Sequence, residues 1–173
     1  MKIRSMFFAV MAFALMMGFV SCGNEPKQAD FVGEYSIRMI SDSLSSDGLE
    51  EWFSAEEYAQ MTGSAEEDMF GVMTITEENG IYHAIGSLID EADTVELFNT
   101  TGKLDKDNNL ILDNCTTTTE TGVVVDFQFR KIAPAVDNVL TFKCQMDMHL
   151  GSMLFGYIMT TVADKKEYKY SIL

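Results

Sequence analysis

The stretch Met73-Thr74-Ile75-Thr76-Glu77-Glu78-Asn79-Gly80-Ile81-Tyr82-His83-Ala84 decides how the rest of the chain is read. Apolar and polar residues alternate on both sides of Asn79-Gly80, which is the period of a half-buried strand. Asn-Gly favours the positive φ values of a type I′ turn, so strands over 71–76 and 81–88 form a hairpin. That turn sets Thr76 opposite His83 and Ile75 opposite Ala84. Met73, Ile75, Tyr82, Ala84 and Leu88 then share one face, the interior.

Upstream, Tyr35, Ile37 and Met39 alternate with polar neighbours and mark a first strand over 31–40. Residues 41–68 have a different texture, rich in Ser and Glu, with Leu49, Trp52, Phe53, Tyr58 and Met61 at roughly helical spacing. Ser54-Ala55-Glu56-Glu57 fits a capping box and Thr62-Gly63 a helix stop. One or two short amphipathic helices are expected here, plugging one end of a β structure. Downstream, 94–101 pairs with 109–118 around residues 103–108. Strand 123–132 pairs with 139–149 across Ala133-Pro134-Ala135, and 155–162 and 168–172 supply the last strands. Period two dominates, without an internal repeat or a second domain boundary. The expectation is an all-β, antiparallel up-and-down barrel of eight or nine strands over 31–173, with a helical insert after the first strand. A barrel also removes exposed edges.

The 173 residues suit one domain. Lys2 and Arg4 precede an uncharged, mostly apolar run over residues 6–20, which at 15 residues is shorter than the ~20 a membrane-spanning helix needs. It reads as a secretory signal over 1–21. The following Phe19-Val20-Ser21-Cys22-Gly23 resembles the lipobox of bacterial lipoproteins, with Phe19 in place of the usual Leu. The resemblance implies cleavage before Cys22, a diacylglyceryl thioether on its sulfur and acylation of its new amine. Two or three chains on one residue make a lasting membrane anchor where one would not. Residues 22–30 are a polar tether, and Gly23 stands where an Asp would signal retention in an inner membrane. By that analogy the outer membrane is the expected location. Removing Lys2 and Arg4 from 12 basic residues leaves 10 against 27 acids, a net charge of −17. Such a surface repels nucleic-acid phosphates, and no nucleic-acid partner is expected.

Cys115 and Cys144 are the thiols left after lipidation. The meander puts strand 123–132 between them, with Cys115 opposite about Asp126 and Cys144 opposite about Val125, on opposite faces. Two strand spacings of ~9–10 Å exceed disulfide reach, so free thiols are expected. Asp105-Lys106-Asp107-Asn108-Asn109 has the spacing that begins a calcium loop, but Leu110 and Thr116 occupy the Gly and Glu positions, so a turn is preferred. His83 and His149 lie on different strands without further ligands at suitable spacing, and no metal or cofactor is expected. The paired acids Glu50-Glu51, Glu56-Glu57, Glu66-Glu67 and Glu77-Glu78 read as solvated faces and turns. No Gly-x-Ser-x-Gly elbow or phosphate loop occurs, and the chain is not expected to be an enzyme. Thr116-Thr117-Thr118-Thr119 reads as an exposed strand end in preference to a sugar site. Asp42-Ser43-Leu44 and Asp93-Thr94-Val95 resemble the short O-glycosylation motif of Bacteroidetes lipoproteins.

Phe31-Val32-Gly33-Glu34-Tyr35 resembles the Gly-x-Trp start of the calycins, the lipocalins and fatty-acid-binding proteins, with Tyr35 in place of Trp. A helical insert after the first strand is similar to the lid of intracellular fatty-acid-binding proteins, although the Arg-x-Tyr pair that holds a fatty carboxylate there has no counterpart. The resemblance implies a small apolar ligand entering beneath the Trp52/Phe53 segment. Tyr35, Ile37, Met39, Met73, Tyr82, Phe127, Phe129, Phe142, Met146 and Met148 would line its chamber. The same residues equally suit a filled core. In that case the protein would be an interaction or inhibitor lipoprotein, docking a basic partner on its acidic surface.

Overall fold

The computed structural model describes residues 30–45, 48, 51–63, 67–90 and 93–166. The signal, Cys22, the tether as far as residue 29, Leu49 and the strand expected at 168–172 lie outside these residues. The elements are β1 (Gly33–Ser45), β2 (Phe53–Ser54), α1 (Ala55–Thr62), β3 (Met69–Glu78), β4 (Ile81–Asp90), β5 (Asp93–Leu104), β6 (Leu110–Leu112), β7 (Cys115–Thr118), β8 (Val124–Phe129), β9 (Val139–Leu150) and β10 (Met153–Lys165).

All ladders are antiparallel, and the order across the sheet is β6-β5-β4-β3-β1-β10-β9-β8-β7, with β2 beside the end of β1. The central hairpin forms as its turn requires. Thr76 faces His83, Ile75 faces Ala84, and Asn79 and Gly80 have φ of 55° and 78°. Met73, Ile75, Tyr82 and Ala84 are buried on one face. β1 runs five residues past the expected strand, through a bulge between Ser41 and Ser43, because Leu44 is buried and Ser45 pairs with Gly156.

The barrel does not close. The two sheet edges, β6 and β7, are consecutive in the chain, which changes partner between them. Leu110–Leu112 pairs with β5, and Cys115–Thr118 pairs with β8. Asp113 stands at the switch. Its amide donates to Thr101 O at 2.7 Å, its carbonyl accepts from Thr100 Oγ1 at 2.7 Å, and its carboxylate accepts from Thr101 Oγ1 at 2.7 Å. These bonds tie Asp113 to β5 just past the end of β6, and beyond it the chain leaves β5. At one end the edges are laced by a single bridge, Leu110 N to Ile132 O and Ile132 N to Leu110 O, each 2.9 Å. Ile132 was expected in the β8 strand; its backbone goes to Leu110 instead, so β8 stops at Phe129. The architecture is a curled, open up-and-down sheet.

The described insert contains one short helix. Ser54 Oγ accepts from Glu57 N and Glu57 Oε2 accepts from Ser54 N at 2.9 Å, the expected capping box, and Gly63 closes the helix at φ 74°. None of its residues is buried and Met61 is 67% exposed, so α1 rests against β1 and β2 at the rim. It is not the plug the sequence suggested, because its apolar residues are too few to form a core-facing stripe.

Inside the curl, Phe98, Phe127 and Phe129 form a cluster with ring centroids 5.0–6.1 Å apart, and Phe31 meets Tyr82 edge-on at 6.1 Å. Burying each such side chain contributes about 1.5–3 kcal/mol. The cluster joins β5 to β8 across the unclosed seam.

Candidate functional site

The residues expected to line a ligand chamber come together on the inner face of the sheet. Tyr35, Met73 and Phe127 are completely buried, Ile37, Met39, Tyr82, Phe142 and Met146 nearly so, and Phe129 and Met148 pack partly buried against them. Side chains with no accessible surface face no water-sized space. Trp52 and Phe53 are half-buried, and Phe53 extends along Leu44 of β1 at the rim. Tyr35 Oη donates to Phe31 O at 2.8 Å, and burial, reinforced by the negative charge of Asp30, pushes the phenol up to about 12.

A polar patch occupies the outer face of β7, β8 and β9. Asp126 and Asp147 stand directly opposite each other. The first accepts from Thr116 Oγ1 and lies 2.9 Å from His149 Nε2. Those hydrogen bonds, that from Thr116 above all, hold its carboxyl below the usual range. Asp147 is only 6% exposed, with Gln145 Nε2 donating to both its oxygens at 2.9 and 3.0 Å. Alternation alone would leave Asp147 in water; its signal in the sequence was the run of Asp and Gln on two neighbouring strands. The hydroxyl of Thr116 donates to the carboxylate and not to the imidazole, so this chain of bonds does not generate a nucleophile. A cleft of about 310 Å³ lies here among Thr116, Asp126, Gln128 and Asp147, with the buried Phe127, an expected lining residue, beneath it.

The second feature is the seam itself. β5 and β7 lie close to each other across it without forming a ladder. Along it lies a cleft of about 680 Å³ between Thr94, Val95 and Glu96 of β5 and residues 117–121 at the end of β7 and after it. The threonines there serve the local fold: Thr119 Oγ1 accepts from Val123 N at 3.0 Å and lies 2.9 Å from Thr121 Oγ1.

The remaining candidates have local roles. Asp105 Oδ1 accepts from Asp107 N at 2.8 Å and Asn109 N at 2.9 Å, and Asn109 Nδ2 reaches Asp105 Oδ2 at 2.9 Å, so this carboxylate is spent on its own turn. Among the described residues, no cluster of three or more His, Cys, Asp or Glu could hold a metal ion. His83 is exposed on β4. Asp42 Oδ2 accepts from Thr160 Oγ1 at 2.7 Å and Lys143 Nζ at 2.9 Å. Cys115 and Cys144 are free, with β8 between them. They face Phe127 and Phe129, so both lie on the inner face, and the expected opposite placement is corrected. Cys115 slips one residue and Cys144 four from the expected register, and a slip of one reverses a face.

No protein-family model matches this sequence, and no curated protein matches it. Among solved structures, the sensor domain of PknI from M. tuberculosis, in its monomer form, is similar at 10% identity with a TM-score of 0.39, over 78% of this chain and 86% of that one.

Proposed function

We propose that this chain is a lipid-anchored outer-membrane protein whose calycin-like curled sheet encloses a filled interior, and that it docks a basic protein partner through its acidic surface. The observation that carries the reading is the complete burial of Tyr35, Met73 and Phe127 on the inner face, where a carrier would present ligand-accessible surface. Charge supplies the second half: 27 acids against 12 basic residues give a field that draws cationic partners from a distance. The anchor rests on the lipobox resemblance at Cys22. The tether would enter beside Asp30, which Lys165 Nζ meets at 2.9 Å, at the start of β1. The helix and the threonine-lined cleft belong to the far end of that strand, whose 13 residues span about 40 Å. In this arrangement the docking end points away from the membrane. The reading assigns no catalysis, metal or cofactor.

A small-molecule carrier is the second reading. It is favoured by half-buried Met69, Phe129, Met148 and Tyr157, which suit an apolar mouth.

Native mass spectrometry of the detergent-solubilised chain from its own host, together with Phe127→Ala, tests the choice. A filled interior gives a clean protein mass and a loss of about 3–5 kcal/mol on truncation. A copurifying mass of a few hundred daltons, with a much smaller loss, overturns it in favour of the carrier.

A further inference from the structure

Resting on the docking reading above, we infer that the seam between β5 and β7 is a slot for one extended, basic peptide segment of the partner, which completes the unclosed sheet by strand addition. Beyond Asn99 towards its start, β5 has β4 on one side and, among the described residues, no ladder on the other. β7 pairs with β8 alone. The two unladdered edges face each other across the cleft. The cleft lies at the levels of Thr94 to Glu96 on β5 and of Thr117 and Thr118 on β7.

Size and chemistry select the occupant. A strand residue takes up a block of about 3.4 by 4.8 by 10 Å, so a cleft of about 680 Å³ admits about four residues of one strand. Its walls are threonines, Val95 and two acids, Glu96 and Glu120, with no lysine or arginine among the described residues that line it. Backbone groups of an inserted strand meet the free edges, as in other strand-addition complexes. Its side chains meet β-branched walls, and Lys or Arg answers the two carboxylates. Since β5 and β7 run in opposite directions, the guest lies antiparallel to one and parallel to the other.

The experiment is a fluorescence-anisotropy titration of the full chain in detergent with an eight-residue peptide of alternating Lys and Val. The same peptide N-methylated on alternate amides is titrated in parallel. The slot predicts saturable binding, at least tenfold weakening by Glu96→Lys with Glu120→Lys, similar weakening by N-methylation, and no change with Glu78→Lys and Asp107→Lys at the opposite end. Hydrogen exchange should slow at the amides of residues 94–98 and 115–118 when peptide is bound, a readout that does not depend on the variants. Equal weakening by both charge reversals overturns the slot while leaving a diffuse acidic docking surface intact. Indifference to N-methylation overturns strand addition, and absence of binding overturns the inference. A copurified small ligand would instead remove the reading on which it rests.

Discussion

The ring of Phe98 lies directly on Gly86, its cross-strand partner: a Cβ at Gly86 would sit 2.3 Å from Cε1 and Cζ of that ring. The bulge in the β4–β5 ladder falls immediately after this pair. The missing side chain on β4 lets Phe98 lie flat and reach Phe127 and Phe129 across the seam. Gly86→Ala should therefore displace the ring and cost about 1–3 kcal/mol by overpacking. Denaturant unfolding of Gly86→Ala, Phe98→Leu and the double variant checks this. The coupling predicts that Phe98→Leu recovers part of the loss, and strictly additive losses would refute it.

Tyr35 is the phenol to follow by absorbance in alkali. With its ionisation pushed up to about 12, it should remain protonated where exposed tyrosines ionise near 10. Its folded value is raised, so the stabilisation is complete below the unfolded pKa and disappears as pH rises through the folded one. Tyr35→Phe leaves the Phe31 carbonyl without its 2.8 Å donor and should cost about 1–3 kcal/mol.

Asp126 has the opposite sign. Its pKa is lowered by the Thr116 hydrogen bond first and by His149 next, so its contribution is present above the unfolded carboxylate value, ~3.9, and is lost as pH falls through the folded value. In an NMR titration Thr116→Val should raise the Asp126 midpoint and reduce the acid-side slope of stability. An unchanged midpoint would show that the hydroxyl contributes nothing.

Both thiols should react slowly with iodoacetamide, Cys144 the more slowly. Burial raises both, Cys144 to about 11, and the thiolate is the reactive form. Mass-resolved labelling at pH 8 should modify Cys115 first and Cys144 only through opening of the sheet. Equal rates in the folded protein would contradict the burial difference.

What could be read from the residues was what local chemistry controls. Asn79-Gly80 specifies its own hairpin register, and Ser54 and Glu57 specify the start of a helix within four residues. The inward alternation of Phe127, Phe129, Phe142 and Met146 marks the core face without knowledge of the partners. The misses are non-local. Ser41 to Ser45 reads as part of the Ser- and Glu-rich insert because its strand is held by β10, far along the chain. Nothing near Asp113 announces a change of partner, and the register of Cys144 depends on Ile132 leaving the strand for Leu110. The seam, which carries the proposed docking slot, exists only once those distant choices are combined.

The first long strand in the chain is also the middle of the sheet. From Tyr35 opposite Lys165 to Ser45 opposite Gly156, β1 is joined to β10 over sequence separations of more than a hundred residues. Synthesis therefore delivers two sheet fragments, β1 with β3 to β6 and then β7 to β9, that have no ladder between them among the described residues until β10 arrives. Pairing over such distances is slow, because loop-closure entropy is lost before contacts compensate for it. A chain released before Lys165 would hold two half-sheets with open edges, the condition in which β-proteins aggregate. β10 is thus a kinetic checkpoint: the edge of β1 cannot be hidden before the chain has been made as far as Lys165.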